Sequence, residues 1–186
     1  MYRTYEEKRT ARNKQDKELK QKVSLAKEHG LTMRATWCDE NPNMEPYKHG
    51  RVESKIEAWR GRYADKPNNY LCRIEMGDNT IQFFYTLGSA HLTKPSPQDA
   101  LYSLVMDAET FLVCYTDPWE YMEMMGVEME SLGYVKSMVQ RFPTYKEQSL
   151  RTVEFLRGAG ITTELAIKMG MDEEDAEIID RLLDEV

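Results

Sequence analysis

Apolar and polar positions change period several times along the chain, and each change marks an element. Between Thr80 and Leu87 the alternation is strict, with Ile81, Phe83, Tyr85 and Leu87 on one side and Thr80, Gln82, Phe84 and Thr86 on the other. A period of two predicts a strand with one face on a core. Tyr70, Cys72, Ile74 and Met76 alternate in the same way up to Gly77-Asp78-Asn79, so the two runs predict a β-hairpin. Leu31, Met33, Ala35 and Trp37 predict a further strand alongside it. Gly88 breaks the 80–87 strand into a Gly-Ser-Ala-His turn, in which Gly88 and His91 are the expected structural positions.

Elsewhere the period is that of a helix. Ser96 precedes Pro97 and stands three residues before Asp99, which predicts a capped helix start. Leu101, Leu104, Val105, Ala108 and Leu112 follow at spacings of three and four and predict its buried stripe. Residues 2–29 read as a polar, exposed helix ended by Gly30, of which only the last turns dock. Asp117-Pro118-Trp119-Glu120 repeats the cap logic for a short helix with Trp119 as its expected anchor, closed by Gly126. Met129, Leu132, Val135, Met138, Val139 and Phe142 trace a face that Pro143 is expected to end, and Thr144 then starts a new helix lined by Leu150, Val153 and Leu156. The tail from Ile161 predicts two short helices capped by Thr162 and Asp172. The fold class is therefore α+β: a small antiparallel sheet of about three strands packed by a helix, followed by a C-terminal helical bundle, with an N-terminal basic helix. Three stretches are expected: a basic helix over 1–30, an α+β core over 31–157 and an acidic helical hairpin over 158–186.

Charge changes this picture more than overall composition does. Residues 1–73 hold 17 Lys and Arg against 11 Asp and Glu, a net +6, while residues 74–186 hold 8 against 21, a net −13. A basic front suits polyanions, and an acidic back suits basic protein surfaces. In the first helix Arg9, Arg12, Lys14, Lys17, Lys20 and Lys27 offer phosphate contacts; Lys14 and Lys17, with Arg51, Lys55, Arg60 and Arg62 around Trp59, are the candidate cations for a nucleic acid or another partner. Glu173, Glu174, Asp175 and Glu177 are the candidate acidic face. They stand at the start of the second tail helix, where a DNA-reading helix would meet phosphates, and so argue for a packing hairpin over a DNA reader. The alternative reading of the acidic surface is an imitation of a nucleic-acid backbone toward a basic protein groove.

Recognisable catalytic chemistry does not emerge from spacing. Cys38, Cys72 and Cys114 form no CxxC pair, and His29, His49 and His91 meet no Cys or carboxylate at a ligand spacing. Neither a phosphate-cradling loop, a GxSxG elbow nor an HExxH helix occurs. A metal-dependent nuclease built on scattered carboxylates such as Asp99, Asp107 and Glu109 stays open, although Asp107 and Glu109 fall on different sides of one helix. No metal or cofactor is expected. Nor does any apolar run approach the roughly 18 residues that span a bilayer, and the first residues lack the apolar core of a secretion signal. A cytoplasmic protein of a bacterial host cell, without a membrane partner, is the expectation.

The order Asn41-Pro42-Asn43-Met44, the strand pair, Phe84-Tyr85-Thr86-Leu87-Gly88-Ser89-Ala90-His91, a proline-containing loop, Ala100 to Ala108 and Trp119-Glu120 resembles a family of small proteins encoded by phages and integrated mobile elements. The resemblance covers roughly residues 33–157, and its motifs define a fold rather than an activity. The extended basic N-terminus, the stretch Arg51 to Tyr63 and the acidic tail depart from the usual short pattern. Small, charge-polarised phage proteins of this kind look like anti-CRISPR inhibitors of the type II effector Cas9. The resemblance thus implies a non-enzymatic protein that binds Cas9 or its guide RNA complex and interferes with target DNA binding or cleavage. The alternative is a sequence-independent DNA-binding accessory or regulatory protein of a mobile element, which double-stranded DNA would engage through the basic third.

Overall fold

The computed structural model describes residues 4–37, 69–86, 95–127 and 132–186. The loop after residue 38, the Val52–Tyr63 segment with Arg51, Lys55, Arg60 and Arg62, and the turn holding Gly88 and His91 lie outside them, as do Cys38, His49 and Met129. Within them the chain runs α1 (Tyr5–Glu28), β1 (Leu31–Trp37), β2 (Asn69–Met76), β3 (Asn79–Thr86), α2 (Pro97–Ala108), a π-helical segment (Glu109–Cys114), α3 (Pro118–Met124), α4 (Leu132–Ala159), α5 (Thr163–Lys168) and α6 (Glu173–Glu185).

The sheet is antiparallel in the order β1-β2-β3. Its register aligns Leu31, Met33 and Ala35 with Met76, Ile74 and Cys72, and pairs Cys72 with Phe83 and Ile74 with Ile81. The alternating positions Leu31, Met33, Ala35, Cys72, Ile74, Met76, Ile81 and Phe83 thereby share one face, while Leu71 and Phe84 pair on the other. Leu31, Cys72, Ile74, Ile81 and Phe83 are buried there, while Thr32, Arg34, Arg73, Thr80 and Gln82 stay exposed on the other. Gly77, with φ of 59°, opens the two-residue hairpin turn, as a type II′ geometry requires at its first central position.

Helices cover the buried face. The capping box of α2 forms as expected: the Ser96 hydroxyl accepts from the Asp99 N–H at 3.1 Å and the Asp99 carboxylate accepts from the Ser96 N–H at 3.2 Å. Leu101, Leu104, Val105 and Ala108 are buried in the principal core, which also takes in Ala26, Val153, Leu156, Ile161, Ala166, Met169, Ile179 and Leu182. All three stretches expected from the sequence contribute to this one core. Gln98, only 4% exposed, ties them further, since its Nε2 donates to the carbonyls of Lys22 at 2.8 Å and Met169 at 2.5 Å. The end of α4 reaches the hairpin of the sheet, where Asn79 Nδ2 donates to the Gly158 carbonyl at 2.9 Å. A Cβ at Gly158 would stand 2.4 Å from Asn79 Oδ1, so a side chain there would displace the Asn79 amide from this contact.

Two expectations are corrected here. Pro143 does not end a helix; it lies inside the 28-residue α4. The reason is the buried stripe, which passes Val135, Met138, Phe142, Ser149, Thr152 and Leu156 at helical spacing without a change of phase, with half-buried Tyr145 between Phe142 and Ser149. Pro143 itself faces solvent, where water can serve the carbonyl that its missing N–H leaves unpaired. Trp119, for its part, is no anchor. The Asp117 side chain caps α3 by accepting from the N–H groups of Trp119 (2.8 Å) and Glu120 (3.0 Å), a start that leaves Trp119 49% exposed and buries Met122 instead.

Candidate interaction surfaces

Oppositely charged helical faces dominate the described surface. On α6, Ala176, Ile178, Ile179 and Leu182 are buried. Glu173, Glu177, Asp180 and Asp184, at i, i+4, i+7 and i+11, form an exposed stripe on the opposite side, flanked by Glu174 and Glu185. Asp175 is half-buried and lies away from that stripe, so the structure separates it from Glu173, Glu174 and Glu177. Asp180 and Asp184 join the face at positions that a reading of the helix start alone passes over. Their signal, an acid recurring every three or four residues behind the first turn, is present in the sequence.

Seven acids and one base give α6 a net −6. Over the ~18 Å from Glu173 to Glu185 this is about one net negative charge per 3 Å of axis, close to the ~3.4 Å spacing along one DNA strand. The single base is already engaged. Arg181 donates through Nε at 2.9 Å, and approaches through its terminal nitrogen at 2.7 Å, to Glu109 Oε1 on the π-helical segment.

On α1, Ala26 is buried and Ala11, Gln15 and Leu19 are half-buried, so partial burial begins earlier than the last turns. The outward side carries Arg9, Asn13, Lys17, Lys20, Ser24 and Lys27, all exposed. Lys17, but not Lys14, belongs to that side. Lys14 Nζ turns toward Glu18 at 3.8 Å. Eight bases against five acids leave α1 at +3, half the magnitude of α6.

A third feature is an aromatic cluster. Phe111 stacks on Tyr145 at 4.8 Å, meets Phe142 edge-on at 5.4 Å and tilts against Tyr121 at 5.4 Å. With Met122, Val135 and Met138 it forms a second, smaller core. The π-helical segment places it there, because the wider turn sends Phe111 to this cluster while Leu112 and Val113 pack on the principal one. Thr110 Oγ1 donates to the Met106 carbonyl at 2.9 Å where the register changes.

Both described cysteines are held as thiols. Burial pushes the Cys72 thiol up to about 11, and burial followed by the Glu109 carboxylate holds the exposed Cys114 above its ordinary value. Neither is a ready thiolate. Glu109 is committed to Arg181, and no group of three or more His, Cys, Asp and Glu side chains among the described residues is placed to hold a metal ion. No described helix is long and apolar enough to cross a membrane.

Among the described residues Asp107 is the one carboxyl with a large shift: desolvation pushes it up to about 6. Because the folded pKa lies above the ordinary 3.8, the folded state binds more protons between these values, and stability falls as pH rises from about 4 to about 6, then levels off. Solvent still reaches the side chain, so the effect is smaller than a fully enclosed carboxyl would produce. Asp107→Asn is expected to flatten this slope and raise the Tm at neutral pH. Melting curves of both proteins from pH 4 to 7 check it, and parallel profiles would count against it.

Comparison of the chain with protein-family models, with curated proteins and with solved structures returned no match.

Proposed function

We propose that the protein is a non-catalytic inhibitor that presents α6 as a nucleic-acid mimic to a basic groove of a nucleic-acid-handling partner, the partner being the type II effector Cas9 or its guide RNA complex. The charge pattern of α6 carries this reading because helix stability disfavours it. Acids in the first turn gain from the helix dipole, but Asp184 and Glu185 occupy the last turn, where the dipole favours cations. Glu173 with Glu177 and Asp180 with Asp184 are like-charge pairs at i, i+4, each costing a few tenths of a kcal/mol. A merely solvated face would mix signs along its length. A helix with acids repeating along one side, and a net charge per length close to that of a DNA strand, instead suits a channel built for nucleic acid. The resemblance to phage-encoded proteins supplies the identity of that channel.

A cleavage assay with purified protein, several Cas9 subtypes, guide RNA and target DNA tests this, run beside a native-gel shift of the effector complex. Inhibition is expected, together with a shifted complex. Glu177→Gln, Asp180→Asn and Asp184→Asn combined should weaken inhibition at least about tenfold while raising the Tm by a few degrees, as like-charge repulsion is relieved. Intact cleavage with no shifted complex for every subtype would refute the reading. So would undiminished inhibition by the triple variant.

A further inference from the structure

We propose that the outward face of α1 is a binding surface for the phosphate backbone of duplex DNA, seated along the major groove and tolerant of sequence. Arg9, Asn13, Lys17, Lys20, Ser24 and Lys27 stand at i, i+4, i+8, i+11, i+15 and i+18, so at 100° per residue they fall within an arc of about 80°. Each is exposed. Between Arg9 and Lys27 that arc contains no acid; Glu6 and Glu28 bound it at its two ends. An open depression of about 350 Å³ runs along the same side, lined by Lys17, Lys20, Gln21, Ser24, Leu25 and Glu28.

The form of the ligand follows from what the stripe contains. Its four cations and two short polar side chains supply phosphate contacts and hydrogen bonds, but it has no aromatic residue on which an unpaired base would stack. A duplex is therefore favoured over a single strand. A helix of ~10–12 Å diameter enters the ~12 Å major groove of B-form DNA, whereas the deep, narrow groove of duplex RNA excludes it. The stripe is ~27 Å long, which corresponds to about eight base pairs. Arg9, Lys17, Lys20 and Lys27 meet phosphates, and Asn13 and Ser24 lie between them toward the groove floor. This surface is independent of the inhibitor reading, because it needs no effector and uses a different helix.

The test is fluorescence anisotropy of a labelled 20-base-pair DNA duplex with the full chain, without effector, over a salt series. Four phosphate contacts give a slope of log K against log salt of about −3.6. Arg9→Gln, Lys17→Gln, Lys20→Gln and Lys27→Gln combined should bring that slope near zero and weaken binding about 100-fold or more at low salt. Glutamine keeps helix propensity close to that of lysine, and far-UV circular dichroism checks that α1 is retained. Lys14→Gln, outside the stripe, should leave the slope unchanged. No salt-dependent binding, or binding that the quadruple variant retains, overturns the proposal. Equal competition by single-stranded DNA or duplex RNA overturns the groove assignment.

Discussion

Phe111→Ala is expected to cost about 3–5 kcal/mol and to lower the Tm by about 10 °C, the range for truncating a buried aromatic in a domain of this size. Phe111 is the hub of the smaller core, in ring contact with Tyr121, Phe142 and Tyr145. Those rings come from α3 and α4, so the loss is felt on both. Among the described residues the other buried members of the cluster are Met122, Val135, Met138 and Phe142. Phe111→Leu keeps most of the volume and should cost under half as much, since it loses the ring geometry but not the burial. Urea unfolding of the two variants measures this. Similar small losses for both would mean that the cluster collapses around the gap and is not a distinct core.

That residue also shows where sequence reading reaches its limit. Strands were legible because alternation is local: once Ile81 and Phe83 share a side with Cys72 and Ile74, the register places them in one core. Caps were legible for the same reason, Ser96 with Asp99 and Asp117 with Glu120 being separated by three residues. The π-helical segment was not, because Leu112 fits an unbroken α-helical stripe from Leu101, and only competition between two cores decides that the turn widens to deliver Phe111 elsewhere. Pro143 misled for the converse reason. As a local rule it breaks a helix, but the continuous stripe from Val135 to Leu156 outweighs the lost hydrogen bond. Gln98 gave no signal at all. Its partners, the carbonyls of Lys22 and Met169, are more than 70 positions away in either direction.

The charged faces were half legible. Net charge by segment separated a basic front from an acidic tail, yet choosing residues needed the helix phase. Phase removes Arg12, Lys14 and Asp175 from the two stripes, keeps Arg9, Lys17, Lys20 and Lys27, and adds Asp180 and Asp184. Both stripes depend on how their helices are held, which differs sharply. Only Ala26 of α1 is fully buried, whereas α6 is fastened by four buried residues.

For α6 that fastening sets the largest remaining effect: Leu182→Ala should cost about 2–5 kcal/mol. Leu182 is fully buried in the principal core with Ile179 one helical turn before it. Arg157 donates to the neighbouring Leu183 carbonyl at 3.1 Å, and Thr163 Oγ1 to the Ala176 carbonyl at 2.9 Å, so the polar contacts persist when the Leu182 side chain is cut back and the loss is one of packing. Val186→Ala, at the exposed end of the same helix, should stay within about 0.5 kcal/mol. The pair separates scaffold from surface. At a temperature where Leu182→Ala remains folded it keeps every carboxylate of the stripe, so its inhibition of the effector should be unchanged, and it should fail only as α6 melts. The charge-neutralised helix should behave in the opposite way, more stable and less inhibitory. If Leu182→Ala instead lost inhibition while still folded, binding would depend on the fixed packing of α6, and a field of exposed carboxylates would be an insufficient account of it.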